Sequence, residues 1–511
     1  MIESTQMLGI VKTEDFMKYN FYYDETEHSR AISYNTISAD NYYDNFITVI
    51  VGWRSNNTDN ISKRYLAFEE KYACRKTKGE LKSLTLKQKQ FEHGFASLNS
   101  DNVKFLDNYF SLYDDTIFLY FAITSKIEFI IRQLFDGYTN SVVFDMDALK
   151  YSITKAIVMY QPENVLAAIY KSADEFLEAL IQFFNNCIEQ NRRNGTLKEH
   201  ETAAFEQILF ILNDIADIKE INWDYTFSFD GFKKYLYEKN ITDYELTIDK
   251  EGNGKTTSAA VAVGIINVND DDSCNQVGLR MADMFAGVLA KLLKALHNEL
   301  KYKSFSDGIN KKILSKEWFI LTPEKLQLYK KLRYIVSQLN DAWYKSYSGI
   351  YADDVLLLVS LLNYFSEFES VEKIDNINMR GEYFNTYVIA TMQEYYKLRR
   401  NKLPIDIMPP SKEDTFVNQR GARVFFDTMK NPLLPIKNGK NTYEVLSVGL
   451  SKEWIPLVTI QKGANAYCYR LPEEYSEWAF TVVGLANFGT NMFPARVTFS
   501  LFNGKYMVDI E

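Results

Sequence analysis

The sequence predicts an α/β protein: a mixed sheet interrupted by a helical insertion, then an α-helical region, then a β-rich C-terminal module. Three observations predict it. Over residues 15–300, β-branched and aromatic runs alternate with segments of helical periodicity. Residues 314–400 are periodic throughout and rich in Tyr and Leu. Beyond Pro404, Pro409 and Pro410 short strand patterns return, and the last of them fold about Asn503-Gly504.

Taken in order, Asn20–Asp24, Ala31–Asn35 and Phe46–Trp53 are short β-rich runs, the first two close enough for an antiparallel hairpin. Ser62–Cys74 has helical spacing through Tyr65, Leu66, Phe68 and Tyr72, with Asn60 or Ser62 as cap. Thr116–Thr124, uncharged and β-branched, reads as a buried strand. From about 157 to 219 the pattern is helical, as in Asn164–Glu189 and Glu201–Ile215. Strand character resumes at Thr226–Phe229, Tyr244–Ile248 and Ala260–Val268. A long apolar helix from Val277 closes this unit near Leu300. Helices follow at Pro323–Trp343, Asp353–Phe368 and Glu382–Arg400, then a linker at Lys402–Ser411. The module at 412–511 should hold strands at Tyr443–Leu450, Leu457–Gln461, Ala466–Arg470, Trp478–Leu485 and the Arg496–Ile510 hairpin.

Composition bounds the function. The 511 residues are 46% hydrophobic and 15% aromatic, which suits packed cores and excludes general disorder. A net charge of −9 excludes a chain that grips a polyanion over its whole surface. Nucleic acid would have to use local basic patches; candidates are Lys301 and Lys303 with Lys311 and Lys312, and Lys397–Lys402. The four cysteines lie far apart without metal-ligand spacing, and the four histidines are scattered. No apolar run approaches the ~20 residues that span a bilayer, so the expectation is a cytoplasmic protein without a membrane partner.

The chemistry-bearing signal is acidic. Tyr19–His28 is an aromatic strand that ends on Asp24 and Glu25, with Glu27 beyond. Far downstream Asp283 lies inside the apolar helix Gly278-Leu-Arg-Met-Ala-Asp-Met-Phe-Ala-Gly287. Carboxylates in such surroundings are costly unless a cation or hydrogen bonds compensate them. A fold joining the two would make a Mg²⁺ or Mn²⁺ site. Ala286 and Gly287 are small enough to let this helix approach a sheet closely.

Four segments in this order resemble the prokaryotic family known as domain of unknown function 3800, which has a ribonuclease-H-like fold. They are Tyr22-Tyr-Asp-Glu-Thr26, Gly79-Glu-Leu-Lys-Ser83, Asp272-Ser273 and the Gly278–Gly287 helix segment, spanning about residues 15–300. Arg280 stands where that family usually has Gln, and Thr26 where it has Ser. The resemblance implies a ribonuclease-H-like mixed sheet and a metal-dependent nuclease hydrolysing phosphodiesters of RNA or DNA, in a setting such as phage defence or a mobile element. It makes Asp24 a bridging ligand, with Glu80 and Asp283 completing two cation sites and Glu25 a further ligand or an acceptor behind them. Two ions ~3.5–4 Å apart would activate water and stabilise the leaving oxygen. A fourth acid is either Asp249 or Asp230, each ending a strand pattern, with Asp249 preferred. Lys82 and Lys126 would hold phosphate or neutralise the acids. The alternative is a non-catalytic interaction protein that keeps the fold while its acids serve structure. On the nuclease reading residues 314–511 are expected to recognise substrate or a protein partner.

Other signals point less to chemistry. Gly252-Asn-Gly254-Lys255-Thr256 has some of a phosphate loop, but Asp249 occupies the position of its first Gly, and the following residues read as a strand. Asp270–Asp272 lacks the ligand spacing of a calcium loop. Asp145 and Asp147 are either strand neighbours or caps of the next helix.

Overall fold

The computed structural model describes residues 18–27, 42–136, 138, 145–193, 198–213, 226–250, 254–302, 312–401, 415–418, 420–425, 427–451, 454–487, 490–502 and 504–511. The chain divides into two compact units: Met1–Asp136 with Leu149–Leu403, and Gly137–Ala148 with Pro404–Glu511.

In the first unit β1 (Tyr19–Thr26), β2 (Asn45–Arg54), β3 (Ile117–Ser125), β4 (Tyr244–Asp249), β5 (Val268–Asp271) and β6 (Ser346–Tyr347) form one sheet in the order β5-β4-β1-β2-β3-β6. β1, β2 and β3 are successively antiparallel; β4 runs parallel to β1, β5 to β4, and β6 to β3. The helices are α1 (Thr58–Lys71), α2 (Ser100–Phe110), α3 (Lys126–Leu134), α4 (Met146–Tyr160), α5 (Glu163–Ala168), α6 (Ala173–Arg192), α7 (Glu199–Leu212), α8 (Phe227–Glu238), α9 (Lys255–Ala262), α10 (Val277–Leu300), α11 (Pro323–Arg333), α12 (Asp353–Ser366), α13 (Val371–Asp375) and α14 (Arg380–Asn401).

Strand alternation assigns the two faces. Phe21 and Tyr23 of β1 pack with Phe229 and Phe232 of α8 and with Leu246 and Ile248 of β4. Tyr22 faces the other way, into the larger core with Trp53, Leu279 and Phe285. α10 lies on that second face; a Cβ on Gly278 would stand 2.1 Å from the Tyr22 ring, so only glycine admits the approach. Gly287, expected to meet the sheet, instead packs on Ser83.

The strands expected at Asn20–Asp24, Phe46–Trp53, Thr116–Thr124 and Tyr244–Ile248 are β1 to β4, and the helical insertion comprises α4 to α7, opening before residue 157. Ala31–Asn35 lies outside the described residues, and the partner of β1 is β2 itself. Two strand expectations fail in this unit. Thr226–Phe229 enters α8, and Ala260–Val268 is the end of α9 and the turn to β5. Helix α1 starts at Thr58, ahead of the expected caps. Asp145 caps α4, accepting the Ala148 N–H at 2.9 Å. The helices of 314–400 belong to this unit, since α11 and α12 share the core with α10.

The second unit holds a seven-stranded sheet, β13-β12-β9-β10-β11-β8-β7, built from β7 (Thr415–Val417), β8 (Arg423–Phe425), β9 (Gly439–Leu450), β10 (Pro456–Lys462), β11 (Asn465–Arg470), β12 (Ala495–Phe502) and β13 (Lys505–Ile510). Phe502 pairs with Lys505, which fixes the two-residue hairpin, and Gly504 takes φ 75° there. Trp478–Leu485, expected as a strand, lies in helix α15 (Ser476–Asn487), whose Ala479 and Val482 are buried. The linker Lys402–Ser411 is outside the described residues.

Candidate acidic centre

Asp24 follows Tyr22 by two positions on β1, so its carboxylate is on the α10 face. β4 runs alongside in register, Tyr23 opposite Ile248, which carries Asp249 to the same strand end. Asp249 in turn pairs with Asp271 of β5. Three parallel strands thus carry acids in a row near the same end, beneath the helix that holds Asp283.

Asp283 is fixed by one residue. The Ser83 N–H donates to its Oδ2 at 2.8 Å, and the Ser83 hydroxyl donates to Oδ1 at 2.8 Å. Ser83 belongs to the Glu80–Ser83 segment, which the Gly287 gap admits against α10. Within that segment Glu80 Oε2 lies 2.8 Å from Lys82 Nζ and accepts from the Ser273 hydroxyl at 3.0 Å. Lys82 also donates to Ser273 Oγ at 2.7 Å, and the Ser273 N–H donates to Asp249 Oδ1 at 3.2 Å. Ser273 therefore ties Glu80, Lys82 and Asp249 together.

Burial and the negative charges of Asp283, Asp249 and Glu25 hold the Asp24 carboxyl well above the usual carboxylate range, against the lowering effect of the Glu25 N–H bond. Burial also raises Asp249, opposed by Lys82 and the Ser273 N–H. Burial presses the Lys82 ammonium down, but Glu80, with Asp283 and Asp249, lifts it above its ordinary value. Lys291, on α10, is driven down to about 8 by burial, with Asp283 and Glu27 acting the other way.

The structure separates the predicted residues. Asp24, Asp249 and Asp283 share one electrostatic neighbourhood, and of the two acids considered for the fourth place Asp249 lies in it and Asp230 does not. Asp230 is in the first turn of α8, beside Tyr120 and Tyr347 on the opposite face. Glu25 does not join Asp24: it follows Tyr23 on the far face and accepts that hydroxyl at 2.5 Å, because adjacent residues of a strand point apart. Lys126 is buried and donates to the Tyr43 carbonyl at 2.8 Å, with Asp44 and Glu27 as its nearby anions. It is a structural cation of a neighbouring strand end. Glu80 is paired with Lys82, and no three of the expected ligands Asp24, Glu25, Glu80 and Asp283 have ligand atoms all within 4.8 Å of one another. Among the described residues, the three metal-capable groups whose ligand atoms all lie within 4.8 Å are Glu80, Asp272 and Cys274.

Behind the centre stands Arg280, where the resembling family has Gln. Its Nε is 2.9 Å from Glu69 Oε1, both side chains are buried, and its Nη1 donates to the carbonyls of Ser273 and Cys274. Ser83, Ser273 and Lys291 carry no spacing signal of their own; the first two were visible only as members of the resembling segments.

The expected basic patches fall largely outside the description, at Lys303, Lys311 and the side chains from Leu398 to Lys402. Gly254, in the left-handed conformation, opens helix α9 rather than a strand. Among the described residues no helix is long and apolar enough to cross a membrane. No protein family, curated protein or solved structure matches this chain.

Proposed function

We propose that this chain is a divalent-cation-dependent nuclease whose first unit is a ribonuclease-H-like domain. The observation that carries the proposal is the buried Asp24 carboxyl near the end of a central strand, which feels the negative charges of Asp283 and Asp249. The order of the unit supports it: an acid-ending strand in an antiparallel hairpin-like set, an acid-ending parallel strand, then a helix that brings an acid back to both. Like charges gathered in partly buried surroundings raise one another's pKa, and an oxygen-seeking ion relieves that cost.

Carboxylate oxygens are the donors Mg²⁺ or Mn²⁺ prefers, and Asp24, Asp249 and Asp283 are the residues that would hold the ion, although their oxygens do not all lie within 4.8 Å of one another. When bound, such an ion would activate a water and stabilise the leaving oxygen of a phosphodiester. The protein's own part is orientation. Ser83 holds both oxygens of Asp283, Ser273 holds Asp249, and Lys82 balances Glu80 so that it adds no net charge. A second reading, a non-catalytic interaction protein, is favoured by that same satisfaction: Glu80 and Asp283 already have protein partners.

Cleavage assays on single- and double-stranded RNA and DNA with Mn²⁺ or Mg²⁺ separate the two. The nuclease reading expects cleavage that Asp24→Asn and Asp283→Asn abolish without unfolding. No cleavage of any substrate, together with no divalent-induced thermal shift, leaves the interaction protein.

A further inference from the structure

The lysines expected to hold phosphate are both committed, Lys82 to Glu80 and Ser273, and Lys126 to the Tyr43 carbonyl. A different lysine is not. Lys291 is half-buried on α10, and among the described residues the only hydrogen bond of its ammonium is to the Gly287 carbonyl at 3.2 Å; no carboxylate pairs with it. The side chain folds back along the helix toward Asp283, the direction long helical side chains favour.

Gly287 shows where it ends. A Cβ placed there would be 2.6 Å from Ser83 Oγ and 3.3 Å from Lys291 Nζ. The ammonium and the hydroxyl that holds Asp283 thus converge over the same glycine. Lys87 approaches from the segment following Ser83, where the Gln88 side chain donates to the Lys291 carbonyl at 3.0 Å. Lys294 is near as well, but Glu27 neutralises it at 2.6 Å. Two cations, Lys87 and Lys291, are thus close enough to repel, and among the described residues neither is held in an ion pair.

We propose that Lys291, with Lys87 beside it, is an anion subsite that holds a backbone phosphate of a nucleic acid next to the acidic centre. The inference rests on the nuclease reading and names where its substrate runs: along α10 from Asp283 toward the helix C-terminus. A half-buried ammonium with no carboxylate paired to it gains from a charged acceptor, and lysine serves phosphate as a point charge. The carboxylates at one end and the lysines at the other divide the roles, so a polyanion can approach a site that would otherwise repel it.

The test is fluorescence-anisotropy binding of a labelled mixed-sequence oligonucleotide, as single strand and duplex, in EDTA and with Ca²⁺, over a range of salt. Lys291→Gln and Lys87→Gln should each weaken binding about uniformly across sequences and flatten the slope of log K against log salt by about 1. Lys291→Arg should keep the slope, and Lys63→Gln, on exposed α1, should change nothing. Lys87 is exposed, so its variant carries the test if Lys291→Gln does not fold. Inorganic phosphate should compete only weakly; full displacement by it would assign the subsite to free phosphate and overturn the backbone role. If the wild type binds but both variants keep its slope, the subsite is wrong while the nuclease reading stands. Binding of no oligonucleotide in either buffer overturns both.

Discussion

Replacing Arg280 by Met tests how the acidic centre is braced. Arg280 and Glu69 form an ion pair whose side chains are 6% and 3% exposed, so neither charge is well solvated alone. Removing one partner of such a pair costs about 3–5 kcal/mol, because the other is left buried and uncompensated. Lys76 Nζ, 3.4 Å from Glu69 Oε2, recovers part of this and places the expected loss near the lower end of that range. Arg280→Met also strands the carbonyls of Ser273 and Cys274, at about 1 kcal/mol each. The double variant Arg280→Met/Glu69→Leu removes the orphaned charge but not the stranded carbonyls. It should therefore lose only about 1–2 kcal/mol. Urea unfolding followed by tryptophan fluorescence reads the difference, with Trp53 and Trp318 fully buried in the first unit. A single variant that loses under about 1 kcal/mol, or a double variant no better than the single, would refute the assignment of Arg280 and Glu69 as a mutually dependent buried pair.

Other outcomes follow from the same geometry. Asp24 has a raised folded-state pKa, so the native state holds its proton more tightly than the unfolded chain and ionisation costs stability as pH rises. Asp24→Asn should raise the metal-free melting temperature more at pH 8 than at pH 5 and abolish any Mn²⁺-induced shift in thermal melts; a loss of stability at pH 8 would contradict it. Asp354, hydrogen-bonded by Asn45 and pushed up to about 7 by burial with Asp353 and Asp44 nearby, acts in the same sense. Its contribution falls as pH rises from the ordinary carboxylate value to about 7 and then levels, so urea titrations at several pH values should show a shallower decline in Asp354→Asn. Gly287→Ala would set a methyl 2.2 Å from Ser83 Cβ; it should cost about 1–3 kcal/mol through overpacking. By displacing Ser83 it should also weaken the Mn²⁺-induced thermal shift; a wild-type melt and shift would show that the segment yields freely.

What the residues reveal depends on how local the cause is. β1 to β4 are legible because aromatic and β-branched side chains alternate between two covered faces, and α10 because its apolar positions run far beyond one turn. Trp478–Leu485 and Ala260–Val268 mislead because a short apolar run has the same composition in either state, and only packing decides. In α15 that decision is made by Ala479 and Val482, which are buried, and in α9 by Ala260. The same limit applies to the centre. Asp24, Asp249 and Asp283 announce themselves as acids at the ends of strands or inside an apolar helix. Strand parity, which sends Glu25 to the Tyr23 face, was available from sequence and outweighs its adjacency to Asp24. Lys291 gives no signal, since its importance comes from what Gly287 leaves open beside Ser83.

The acids of the centre arrive from β1, β4 and α10, and the serines that hold two of them come from segments before α2 and after β5. A nascent chain emerging from the ribosome would carry Asp24 early and Asp249 later, yet lack Asp283 until α10 has been synthesised and has docked on β1. On the proposed nuclease reading, hydrolysis would then be withheld during synthesis by topology alone, without an inhibitor, and fragments ending before α10 would lack an acid of the centre.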